Sequence, residues 1–107
     1  VLKVKAKPSP KPKQSLPTGS VGEYQAWAKA RVSASQWPCL RELWDRESGW
    51  DPTSDNPTSS AYGIPQIIGM KPGTGWKRQI ERGLSYIDHR YGTPCSALAA
   101  HDSKGWY

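Results

Sequence analysis

The sequence predicts a small, mostly α-helical domain behind a basic, proline-rich segment, and three observations predict it. Apolar residues downstream of Glu23 recur at intervals of three and four in several windows, which is the signature of amphipathic helices. Composition changes abruptly near residue 20, from alternating lysine and proline to a mixed globular sequence. No internal repeat and no alternation of strand and helix patterns suggests a parallel sheet. At 107 residues the chain has room for one domain.

Residues 1–20, "VLKVKAKPSPKPKQSLPTGS", read as a disordered linker whose natural local state is polyproline II. The domain is expected over residues 21–107. A first helix is expected over Glu23–Ser35, with Tyr24, Trp27, Ala28 and Val32 on its apolar side. A second starts near Pro38, a residue suited to a first helical turn. Its stripe is Leu40, Leu43, Trp44 and Glu47, so Glu47 points the way the apolar residues point. Gly49 and Pro52 end it. Residues 51–61 are loop by composition, "YGIPQII" (62–68) is a short strand or turn, and 69–75 is loop again. The longest helix is expected from Gly75 to Tyr91, striped by Trp76, Ile80, Leu84, Ile87 and Tyr91 and stopped by Gly92. A last short helix runs from Pro94 to His101 behind Thr93 as N-cap.

Charge narrows the function classes. The net charge is +6, but Lys3, Lys5, Lys7, Lys11 and Lys13 supply five of the fifteen basic residues. The other ten face nine acids, so the domain itself is near neutral and lacks the broad basic character of a nucleic-acid binder. No run approaches the eighteen or so apolar residues of a membrane span. No signal peptide reads from the N-terminus, so a fragment or mature form is expected. The basic segment could tether the domain to an anionic wall polymer or membrane surface. Six Trp and five Tyr with no Phe suit surfaces that stack on sugars or partners, and equally a Trp-built core. Cys39 and Cys95 lack the spacing of a metal site and could be buried thiols or a disulfide. A disulfide is favoured, since small secreted domains use such staples, and would stabilise by about 4 kcal/mol. No metal site and no cofactor are expected.

Glu47 poses the functional question. An acid among leucines and a tryptophan is partly desolvated, which favours its protonated form and lets it act as a proton donor. The alternative is a structural ion pair with Arg46, Arg41 or a distant arginine. The segments "CLRELWDRESGW", "SAYGIPQ", "GLSYIDHRYGTPC" and the terminal "WY", in that order, resemble the lytic transglycosylases of the lysozyme superfamily. Together they look like the actinobacterial branch of that family, with related domains in phage lysins and tape-measure proteins. The resemblance spans about residues 37–107. It implies that Glu47 is the catalytic acid/base and that Ser48 supports the glutamate helix. Tyr62, Gly63, Ile64 and Gln66 would lie along the sugar cleft, and Tyr86 would position the glutamate. Pro65 stands where the family has Met or Phe, and only "SALAAHDS" (96–103) could replace the family's "AYNAG" segment.

The implied reaction cleaves peptidoglycan between N-acetylmuramic acid and N-acetylglucosamine. One glutamate suffices, because the substrate's own N-acetyl group stabilises the anomeric carbon and its C6 hydroxyl attacks, giving a 1,6-anhydro product. Substrate assistance is a recognised exception to the two-carboxylate rule of glycosidases. The alternatives are a muramidase of lysozyme or resuscitation-factor type, with Asp55 or Asp51 activating water, and a non-catalytic wall-binding module stacking sugars on Trp50, Trp76 and Trp106. A monomer acting outside the cell, in the wall or on a virion, is expected. His89 and His101 read as surface or packing residues.

Overall fold

A computed structural model describes residues 19–107; the expected linker, apart from its last two residues, lies outside the described residues. The described chain is mostly helical, with four helices and one minimal hairpin: α1 (Val21–Lys29), α2 (Trp37–Ser48), β1 (Ala61–Tyr62), β2 (Ile67–Ile68), α3 (Trp76–Arg90) and α4 (Pro94–Lys104).

The first helix sits earlier and is shorter than the apolar spacing suggested. Ser20 and Glu23 form a capping box: Glu23 N–H donates to Ser20 Oγ at 3.2 Å, and Ser20 N–H donates to Glu23 Oε1 at 3.1 Å. Reciprocal capping satisfies two otherwise orphaned donors, and so starts the helix at Val21. Tyr24 Oη donates back to Gly19 O at 3.1 Å, so Gly19 and Ser20 both contact α1. The helix stops after Lys29, before Arg31–Ser35. There a β-branched valine and two serines disfavour helix, and Ser33 and Ser35 hydroxyls lie 3.3 Å apart.

Helix α2 matches its expected span. Pro38 lies in its first turn, and Gly49 closes it in the left-handed conformation at φ 65°, its N–H donating to Asp45 O at 2.9 Å. That geometry favours glycine, which has no Cβ to clash. Helix α4 runs to Lys104, three residues past the expected His101, because Gly105 is the first residue able to take the left-handed cap. Thr93 caps its start as expected.

The core forms where the helices face one another. Leu40, Leu43 and Trp44 of α2, Ala28 of α1, Ile80 and Ile87 of α3, and Ala97 of α4 are all buried, with Trp50 and Ile64 from the loops. Trp50 is fully buried against Trp37 and Trp44 and donates its indole N–H to Arg41 O at 3.1 Å. It is therefore a core residue, which removes it from the sugar-stacking surface considered above. Gly83 lets α3 approach α2 and the hairpin: a Cβ there would stand 2.9 Å from Pro65 Cβ and closer still to the Trp44 ring.

Cys39 and Cys95 are bonded. The bridge joins the start of α2 to the start of α4. Near their other ends, Arg46 of α2 pairs with Asp102 of α4. Start meets start and end meets end, so the two helices run side by side in the same direction. Among the described residues no helix is long and apolar enough to cross a membrane.

Candidate functional site

The site is built at the C-terminal end of α2. Glu47 follows Trp44 by three residues and so shares its inward face. Its side chain is only 9% exposed. The next residue, Ser48, donates its hydroxyl to Ile64 O at 2.7 Å, tying the helix end to the turn between β1 and β2.

That turn is held from two sides. The strands pair antiparallel, Ala61 with Ile68 and Tyr62 with Ile67, leaving Gly63–Gln66 as the connection. Gly63 has φ 83° and lies against the Gln79 amide, where no side chain would fit. Gln79 of α3 is 1% exposed and accounts for all its contacts internally. Its Oε1 accepts from Ile64 N–H at 2.8 Å, and its Nε2 donates to Pro52 O at 2.9 Å and Thr74 O at 2.8 Å. Buried amides are stable only when satisfied in this way. Gln66, itself at φ 53°, spends its amide nitrogen on Ser54 O and Gly63 O, both at 2.9 Å. Its direct structural role is thus to close this loop.

Tyr86 feels the charge of Glu47, but its hydroxyl is spent on the chain terminus. It donates to the main-chain oxygen of Tyr107 at 3.1 Å. Tyr107 in turn accepts from Trp44 Nε1 at 3.0 Å and donates to Pro65 O at 2.7 Å, linking α2, the hairpin turn and α3. Burial pushes the Tyr107 hydroxyl well above the usual tyrosine range, and the charge of nearby Glu47 pushes it further. Tyr86 is raised mainly by burial, with a smaller push from Glu47 and an opposing pull from Arg90. Tyr62, half-buried on β1, is raised by burial and by Asp55 and Asp51.

Glu47 meets a histidine. Arg46 binds Glu42 at 2.8 Å and Asp102, both on the outer side of the helix pair. Instead His101 Nε2, on α4, lies 3.0 Å from Glu47 Oε2, and its side chain is 13% exposed. His101 is thus largely buried against Glu47, whereas His89 is exposed on α3. Sequence reasoning missed His101, Tyr107 and Gln79. Helical spacing along α4 does not identify a partner on α2. The disulfide pairing does offer a signal, since it aligns the two helices and brings residues six to eight positions downstream of each cysteine together.

Two other acids lie in the loop after α2. Asp51 Oδ1 accepts from both N–H and Oγ1 of Thr53 at 2.8 Å, a loop-forming turn as expected. Asp55 bridges to Tyr62 through the backbone. A shallow depression between α1 and the start of α3, floored by Trp27 and Trp76, shares no residue with the Glu47 site. Among the described residues no three His, Cys, Asp or Glu are grouped to hold a metal ion. No family model matches this chain, and no curated protein or solved structure matches it.

Proposed function

We propose that this domain cleaves the glycan strand of peptidoglycan as a lytic transglycosylase of the lysozyme superfamily. The observation that carries the reading is Glu47. It is a nearly buried carboxylate at a helix end, tied through Ser48 and Ile64 O to the Gly63–Gln66 turn. In this reading Glu47 protonates the glycosidic oxygen between N-acetylmuramic acid and N-acetylglucosamine. As the C1–O bond breaks, its electron pair stays on that oxygen and the N-acetyl oxygen of the muramic residue supports the anomeric carbon. Glu47, now ionised, takes the proton of the C6 hydroxyl while O6 bonds to C1. The acid is restored and the product is a 1,6-anhydro sugar.

Two features support a reaction that runs without a second acid. The Asp51 carboxylate is engaged with Thr53. Tyr86 and Tyr107, which feel the charge of Glu47, are hydroxyls with raised values and supply no second carboxylate. The linker would hold the enzyme near its substrate, and the Cys39–Cys95 bridge fits work outside a reducing cytosol, in the wall or on a virion. The enzyme acts as a monomer on peptidoglycan and requires no cofactor. Mass spectrometry of an unreduced peptidoglycan digest tests the proposal. Anhydromuropeptides, lighter by one water than hydrolysis products, are expected. Reducible muramic ends would assign water as nucleophile and a muramidase, and intact glycan would leave no enzyme to explain.

A further inference from the structure

We propose that His101 is the positioning residue of the acid: it holds Glu47 Oε2, turns the other carboxyl oxygen toward substrate, and couples its own titration to that of Glu47. The inference rests on the catalytic reading of Glu47.

Geometry carries it. Nε2 of His101 and Oε2 of Glu47 are 3.0 Å apart, and both side chains are largely withdrawn from water. A carboxyl group rotates freely about its terminal bond, so an acid with two equivalent oxygens is poorly aimed. A donor fixed on one oxygen removes that freedom and leaves Oε1 as the proton carrier. The donor is itself fixed. The Arg46–Asp102 pair lies one residue away from each partner, on the more exposed side of the same two helices. The Cys39–Cys95 bridge locks the far ends. Helices α2 and α4 therefore cannot slide enough to part the pair.

Charged and titratable groups flank the pair from each packed element. On α2 and α4 they include Arg46 and Asp102, which pair with one another. From α3 comes Tyr86, with Arg90 beyond it, and from the C-terminal residues comes Tyr107; both tyrosines are raised, and so are neutral at neutral pH. In this proposal the proton exchanged near neutrality is shared by His101 and Glu47. Two such groups in contact titrate as a pair, with apparent midpoints that belong to both. The productive one-proton form has the proton on Glu47 and neutral His101 donating from Nε2. The competing form, imidazolium with carboxylate, has no proton for the glycosidic oxygen. Neutral His101 thus aims the acid, and charged His101 withholds its proton.

Three variants and two measurements test this. In nuclear magnetic resonance titrations, the His101 ring midpoint should move by about one unit or more between the native protein and Glu47→Gln, the size expected of contacting groups. No shift would overturn the proposal whatever the activity. For wall cleavage, His101→Phe should lower kcat at least about tenfold with KM little changed, and thermal unfolding should report whether it folds. His101→Gln places an amide donor near the Nε2 position, and should recover most of kcat at the optimum. It cannot titrate, so its pH–rate profile should lose one ionisation. A profile identical to the native one in His101→Gln would reduce His101 to packing and overturn the proposal. Coupled titration in a protein that cleaves no peptidoglycan would overturn the proposed function, and the positioning role with it.

Discussion

Glu47 faces inward because a helix returns to the same side every three to four residues, and three and four residues before it stand Trp44 and Leu43. Replacing it with glutamine keeps shape and polarity but removes the acid. Glu47→Gln should reduce wall lysis by about 10²–10⁴-fold, the usual contribution of a general acid, while its circular dichroism stays native. Full activity in the variant would remove Glu47 from the mechanism. Gly83 is a residue where packing outweighs propensity. Alanine is favoured over glycine in helices by about 1 kcal/mol. A Cβ at Gly83, however, meets Pro65 and the Trp44 ring, and overpacking costs about 1–3 kcal/mol. Gly83→Ala should therefore destabilise the fold, measured as a lower midpoint of urea unfolding, against the sign that helix propensity alone would give.

At the scale of elements, the pair α2–α4 supports the site. The disulfide, the Arg46–Asp102 pair and the Glu47–His101 contact join the two helices at successive levels. Exposed ion pairs contribute little, about 0–1 kcal/mol, so Arg46–Asp102 adds alignment more than stability. The covalent bridge dominates. Its cysteines are 56 residues apart, and the chain-entropy model assigns such a loop about 4 kcal/mol. Reduction, or Cys39→Ser with Cys95→Ser, should lower unfolding free energy by about that much in denaturant titrations with and without reductant. An unchanged midpoint would show that hydrophobic packing alone holds α4 against α2. The expected first helix of residues 23–35 was misjudged at both ends for reasons local to the sequence. The Ser20–Glu23 box was legible in the order of residues, and the serines after Val32 should have shortened the span.

Across the whole molecule four tyrosines share one property. Tyr24, Tyr62, Tyr86 and Tyr107 all have hydroxyls raised above the ordinary value of 10.0, with burial as the largest cause in each. Folding therefore retains protons that the unfolded chain gives up. That contribution is fully present below pH 10 and is lost as pH rises from about 10 through the folded values. Stability should fall as pH rises above about 10, read by urea unfolding at each pH. Tyr107 should contribute most, since its shift is the largest in kind and its hydroxyl joins Trp44 to Pro65. Tyr107→Phe should flatten part of the alkaline loss. At neutral pH it should cost about 1–3 kcal/mol, because Trp44 N–H and Pro65 C=O would be left unpaired in the interior. Equal alkaline slopes in native and variant proteins would move the effect to the other three residues.

The sequence by itself determined what depends on neighbours along the chain. The helical class, the caps at Gly49 and Thr93, and the inward face of Glu47 all follow from spacings of a few residues and from the conformational limits of glycine, threonine and proline. Only the tertiary structure decided what depends on residues far apart. His101 reaches Glu47 across 54 positions of sequence because a disulfide and an ion pair align two helices that the order of residues leaves independent. Trp50 was turned inward by packing between Trp37 and Trp44, although as a tryptophan in a loop it could equally have stacked on a ligand. Side-chain direction along one helix is a matter of periodicity, whereas partner choice between helices is a matter of register, and register is set only when the cores of both have been buried together.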